Sequence, residues 1–85
     1  METFSYVIKD IAGIHAYPAA ILAEKSKKYK CTVCIEKGGR SVNIARPVAI
    51  LALGIQRGDK IRITADGEDE EQAIKEIGHF FWKNL

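Results

Sequence analysis

The chain has 85 residues and a mass of 9.4 kDa, enough for one domain with a single thin core of two layers. Its 47% hydrophobic and 28% charged content excludes a disordered chain, no apolar run is long enough for membrane insertion, and two cysteines are too few for a disulfide scaffold. The net charge of +2 is too small for a general nucleic-acid binder, and Met1-Glu2-Thr3 lacks the basic and apolar regions of a secretory signal, so a cytoplasmic location is expected.

In chain order, Phe4, Tyr6 and Ile8 alternate with Thr3, Ser5 and Val7, the pattern of a strand with one face better buried. Asp10 to Ile14 reads as a loop with a glycine at position 13. The Ala-rich segment Pro18 to Tyr29 predicts a helix opening near Ala16 to Pro18, with Ala19, Leu22, Ala23 and Ser26 along one stripe. Cys31, Val33 and Ile35 alternate again, and Gly38-Gly39 is a hairpin turn into Arg40 to Asn43. A short helix from Pro47 to Leu53 is closed by Gly54, and Ile61, Ile63 and Ala65 form the last strand. Ala73, Ile74, Ile77, Phe80 and Phe81 recur at helical spacing behind an acidic start, where Asp69 and Gln72 fit a capping box. The order β-α-β-β-α-β-α predicts an α+β open-faced sandwich, a four-stranded antiparallel sheet with three helices on one face, over residues 1–85.

Charge is unevenly distributed. Residues 1–65 carry a net of +6 and residues 66–85 a net of −4, the acidic part being the predicted start of the final helix. Within the basic part, His15 sits between the glycine loop and a helix start. A helix N-terminus exposes unpaired N–H groups and a partial positive charge, so it attracts anions. Pro18 has no N–H, which leaves Ala16 and Tyr17 as the nearest donors. A neutral imidazole there is a nucleophile at physiological pH, and the same donors would stabilise a phosphoryl group placed on it. On composition alone, a histidine at a helix start is more often a cap or a surface residue.

The string Gly13-Ile14-His15-Ala16-Tyr17-Pro18-Ala19-Ala20 resembles the active-site segment of HPr, the histidine-containing phosphocarrier family of the bacterial sugar phosphotransferase system. That family's pattern is Gly-hydrophobic-His-Ala/Thr-Arg-Pro-Ala. The resemblance continues through Gly38, Val42-Asn43-Ile44, Leu53-Gly54-Ile55, Gly58 and Ala65 to Ala73, and so spans nearly the whole chain. It implies that His15 is the phosphoryl acceptor, on Nδ1, taking the group from Enzyme I and passing it to the IIA domains of sugar permeases. The protein would then be a phosphoryl carrier rather than a turnover enzyme, with no cofactor or metal expected, and monomer is the default state for so small a carrier. It further implies a docking patch of Pro47, Val48, Leu51, Ala52 and Gln56 on and beside the short middle helix. The bland alternative for Val48 and Leu51 is core packing, but apolar residues all round a short helix leave some facing outwards.

Two positions depart from the family pattern. The arginine two residues after the histidine is Tyr17, which replaces a charged, planar fork for phosphate oxygens by one neutral hydroxyl. Weaker stabilisation of the phosphorylated ring is expected. An adaptor that binds a permease domain or a transcriptional regulator through the same face is the alternative reading. Arg46 occupies the position where many relatives carry a regulatory serine, so phosphorylation there is not expected.

Other candidates are weaker. Cys31-Thr32-Val33-Cys34 spells C-x-x-C, but on a strand positions three apart face opposite ways, with Cα atoms ~10 Å apart against a disulfide limit of ~7 Å. No second Cys or His pair accompanies it to complete a zinc site. His79 reads as a solvated or rim residue, and Trp82 with Phe80 and Phe81 as core and edge packing. Lys25, Lys27, Lys28 and Lys30 read as a helix C-terminal end favoured by the dipole, with too few aromatic residues for a nucleic-acid surface.

Overall fold

A computed structural model describes residues 1–85. Its elements are β1 (Glu2–Val7), α1 (Ala16–Ser26), β2 (Thr32–Lys37), β3 (Arg40–Asn43), α2 (Pro47–Ala52), β4 (Lys60–Asp66) and α3 (Glu70–Asn84). The expected β-α-β-β-α-β-α order is present. All strand pairs are antiparallel, in the spatial order β1-β4-β2-β3, so the last strand enters the middle of the sheet.

Register follows from the two-residue period. Phe4 opposes Ile63, Ile63 opposes Ile35, and Ile35 opposes Val42, which makes one apolar row across all four strands. The neighbouring row of Ser5, Arg62, Glu36 and Ser41 is polar and faces away, with Arg62 and Glu36 paired at 2.6 Å. Above the apolar rows, α3 packs on β1 and β4, α2 on β3, and α1 beside α2. Leu22, Ile44, Ile50, Ile77 and Phe81 are fully buried between the layers, and no charged or polar residue is buried with them. Phe81 is the hub, with edge-to-face contacts to Phe4, Tyr6 and Phe80 at centroid distances of 6.0, 5.9 and 6.2 Å.

Three local expectations are corrected. The first helix opens at Ala16, within the expected Ala16 to Pro18, but ends at Ser26 instead of Tyr29. Ser26 turns its hydroxyl back onto the Ala23 carbonyl at 2.6 Å, and single-turn bonds at Lys27, Lys28 and Tyr29 end the helix. Asp69 does precede α3, but it makes no capping bond with its own helix. Its carboxylate accepts the N–H groups of Lys30 and Cys31 at 2.9 and 2.8 Å, tying the α1–β2 connection to the start of α3. Those donors, Lys30 first, hold the Asp69 carboxyl below the usual carboxylate range. Gln72 turns instead to Glu76 at 3.1 Å. Lastly, Trp82 is not in the core: it is 72% exposed and stacks on His79, while Phe80 and Phe81 on the other side of α3 are buried.

Candidate functional site

His15 is the N-cap of α1, with an extended backbone (φ −106°, ψ −171°) and no side-chain capping bond. A serine or aspartate at an N-cap folds its oxygen back onto the first turn. The imidazole does not, and His15 stays exposed. Its carbonyl accepts the Ala19 N–H at 3.1 Å, which closes the first turn. The N–H groups of His15, Ala16 and Tyr17 have no acceptor in the protein, and Pro18 has no N–H to offer. Three free donors at the positive end of an eleven-residue helix, beside an unrestrained ring, can receive an anionic group.

The loop before the histidine is tied on both sides. Asp10 accepts the Ala12 N–H on its carboxylate at 2.8 Å and the Gly13 N–H on its carbonyl at 2.9 Å, an Asx turn. The N–H of the buried Ile14 donates to the Ile55 carbonyl at 3.1 Å. Gly13 has φ +64°, and a Cβ there would lie 2.3 Å from the Ile55 oxygen and 2.8 Å from the Gln56 Cα. Glycine is therefore required twice at this position, for the left-handed conformation and for the approach of the 55–56 segment.

Of the other expected site residues, Gln56 is exposed and lies against Gly13, next to the histidine loop. Val48 is 78% and Leu51 39% exposed, and Ala52 is exposed as well, while Ile50 is the residue of α2 that enters the core. Pro47, Val48 and Ala52 line a shallow groove with Val42 of β3, at whose rim Arg40 and Arg46 stand. The structure thus brings Gln56 to the histidine loop, and Pro47, Val48 and Ala52 share a groove with Val42 of β3. Tyr17 is 73% exposed. Ile11, in the loop before His15, is 83% exposed and was not singled out by its pattern. Arg46 caps α2 through its backbone, its carbonyl accepting the Ile50 N–H at 3.1 Å.

The C-x-x-C pair is split as its spacing predicts. Cys31 is buried with Val33 and Ile35, and Cys34 stands on the opposite, outer face beside Thr64 and Asn43. Burial, reinforced by the Asp69 carboxylate, pushes the Cys31 thiol up to about 11, far from a reactive thiolate. No group of three or more His, Cys, Asp or Glu side chains converges on a point that could hold a metal ion.

A residue group absent from the sequence reading lies behind the loop. Lys37, the last residue of β2, donates to the Gly54 carbonyl at 2.8 Å and pairs with Asp59 at 2.7 Å. The Asp59 carboxylate also accepts the Gln56 N–H at 2.8 Å, and Lys37 holds that carboxyl below its usual range. Nothing in local periodicity marks a lysine beside a glycine turn for such a role.

An open sheet under three helices, with one uncapped imidazole at a helix start, defines a class of small α+β proteins that display a histidine instead of enclosing it. The family model described as PTS HPr component phosphorylation site matches residues 2–83, and the chain belongs to the HPr family of the phosphotransferase system. It is 42% identical to the phosphocarrier protein HPr of Mycoplasma genitalium over 85 residues, covering 99% of this chain and 97% of that protein. Its structure is similar to that of HPr-C-His from Thermoanaerobacter tengcongensis, with TM-score 0.89 and 32% identity over 95% of this chain and 91% of that one. A histidine-containing phosphocarrier protein of Mycoplasma is similar at TM-score 0.88 and 35% identity, over 92% and 89%.

Proposed function

We propose that this HPr-family protein is a phosphocarrier whose His15 accepts a phosphoryl group on Nδ1 from Enzyme I and passes it to IIA domains of sugar permeases. The observation that carries the reading is the exposed, uncapped His15 ring beside three unpartnered N–H groups at the head of α1. Phosphoryl transfer runs through a loose transition state, so positioning and charge stabilisation do most of the work. The ring nitrogen bonds to phosphorus as the donor's bond to phosphorus breaks. The N–H groups of Ala16 and Tyr17, with the helix dipole, then offset the charge on the phosphoryl oxygens. A partner supplies the remaining groups, which suits a protein that works in the cytoplasm as a monomer and docks through Val48, Leu51, Ala52, Gln56 and Pro47.

Incubation with Enzyme I and phosphoenolpyruvate should give an acid-labile, base-stable phosphate that is lost on adding a IIA domain. A phosphate that no IIA domain removes would favour the adaptor reading, for which the neutral Tyr17 is the motivating observation. Tyr17→Arg should raise the phosphorylation rate roughly three- to tenfold, the value of about one charge-assisted contact at an exposed site. An unchanged or lower rate would show that the tyrosine does not limit transfer.

A further inference from the structure

We infer that Lys37 is a positioning residue for the histidine site, holding the segment after α2 at the height where the Ile55 carbonyl fixes the loop that carries His15. The inference rests on the phosphocarrier reading for its kinetic part only. The path is continuous in hydrogen bonds. The Lys37 ammonium donates to Gly54 at 2.8 Å and to Asp59 at 2.7 Å, one contact at each end of the 54–59 segment. Asp59 closes that segment on itself, accepting the Gln56 N–H on its carboxylate at 2.8 Å and donating its own N–H to the Gln56 carbonyl at 3.0 Å. Between these anchors the Ile55 carbonyl turns the other way and takes the Ile14 N–H at 3.1 Å, one residue before His15.

The charges suit the place. Gly54 follows the C-terminal cap of α2, where carbonyls lack helical partners and a cation is favoured. Both side chains are about 30% exposed (30% for Lys37, 29% for Asp59), so the pair is less screened than those of the open surface. Lys37 therefore couples the end of β2, the end of α2 and the histidine loop, although its ammonium touches none of the reacting atoms.

Amide exchange and transfer kinetics on Lys37→Met and Lys37→Arg test this together. Lys37→Met should speed exchange of the Ile14 amide about tenfold by local opening, with the central amides of β2 and β4 unchanged. The maximal rate of His15 phosphorylation should fall severalfold and by more than the KM for Enzyme I rises, because the clamp holds Gln56 but not the docking residues of α2, while the ring's placement loosens. Lys37→Arg, which keeps a charged donor able to reach both oxygens, should restore both quantities. The inference is overturned if the Ile14 amide in Lys37→Met exchanges at the original rate, or if it speeds up only together with β2 and β4. It is equally overturned if the amide is freed and the transfer rate stays the same, or if arginine rescues no better than methionine. Failure of Enzyme I to label the unsubstituted protein would instead remove the carrier reading, and the Ile14 amide alone would still decide whether the clamp holds the loop.

Discussion

Gly13→Ala should lower the rate of His15 phosphorylation at least about tenfold while leaving a folded protein, because its effect is concentrated on the loop that aims the ring. An alanine at φ +64° costs about 1–2 kcal/mol in backbone strain. A Cβ 2.3 Å from the Ile55 oxygen cannot be accommodated without moving either the loop or the 55–56 segment. Either movement breaks the Ile14 to Ile55 hydrogen bond that places the next residue, His15. Gly38→Ala is the control. Its φ is +57°, yet nothing lies within 4 Å of the added carbon. It should therefore show the strain in a thermal melt and transfer phosphate at the original rate. Equal transfer rates for the two variants would show that close packing at Gly13 does not position the histidine.

Phe81→Ala should destabilise the fold by roughly 3–5 kcal/mol and lower the melting temperature by at least about 12 °C. The ring is fully buried and meets Phe4, Tyr6 and Phe80 edge to face, so its removal strips partners from β1 and α3 at once. A protein of this size has a total stability of about 5–15 kcal/mol, and such a loss removes a large part of it. Trp82→Ala, one residue on, should change stability by no more than about 0.5 kcal/mol, since that side chain is 72% exposed. Denaturant titration of the two variants compares neighbours of similar composition and opposite burial. A similar loss in both would contradict the orientation of α3.

The alternating residues of the strands were legible because each apolar row faces one continuous helical layer. The helix opening beside His15 was legible from Pro18 and the alanines. The outward face of α2 could be read because Pro47 to Leu53 is apolar all round, and a helix of two turns cannot bury every side. What local pattern does not carry is pairing over distance. Placing β4 between β1 and β2 depends on matching Phe4, Ile63 and Ile35 across nearly sixty residues. For the same reason Asp69 looked like an ordinary helix cap. Its spacing to Gln72 fitted, but the two N–H groups at Lys30 and Cys31 lay nearer to its carboxylate in the folded chain. Lys37 and Asp59 were silent in the same way, twenty-two residues apart in the chain and 2.7 Å apart in space. Within the candidate site, the histidine motif was readable as a local string, while the clamp behind it is tertiary and was not. Trp82 misled because its two aromatic neighbours are core residues, although consecutive helix positions cannot all face inward.

The central claim is that the exposed ring of His15 carries the phosphoryl group. Enzyme I and phosphoenolpyruvate should place one phosphate on the protein, and phosphorus NMR of the labelled chain should assign it to Nδ1 of His15, with His15→Ala left unlabelled. A protein that takes no phosphate, or a His15→Ala variant labelled as well as the original, would contradict the account.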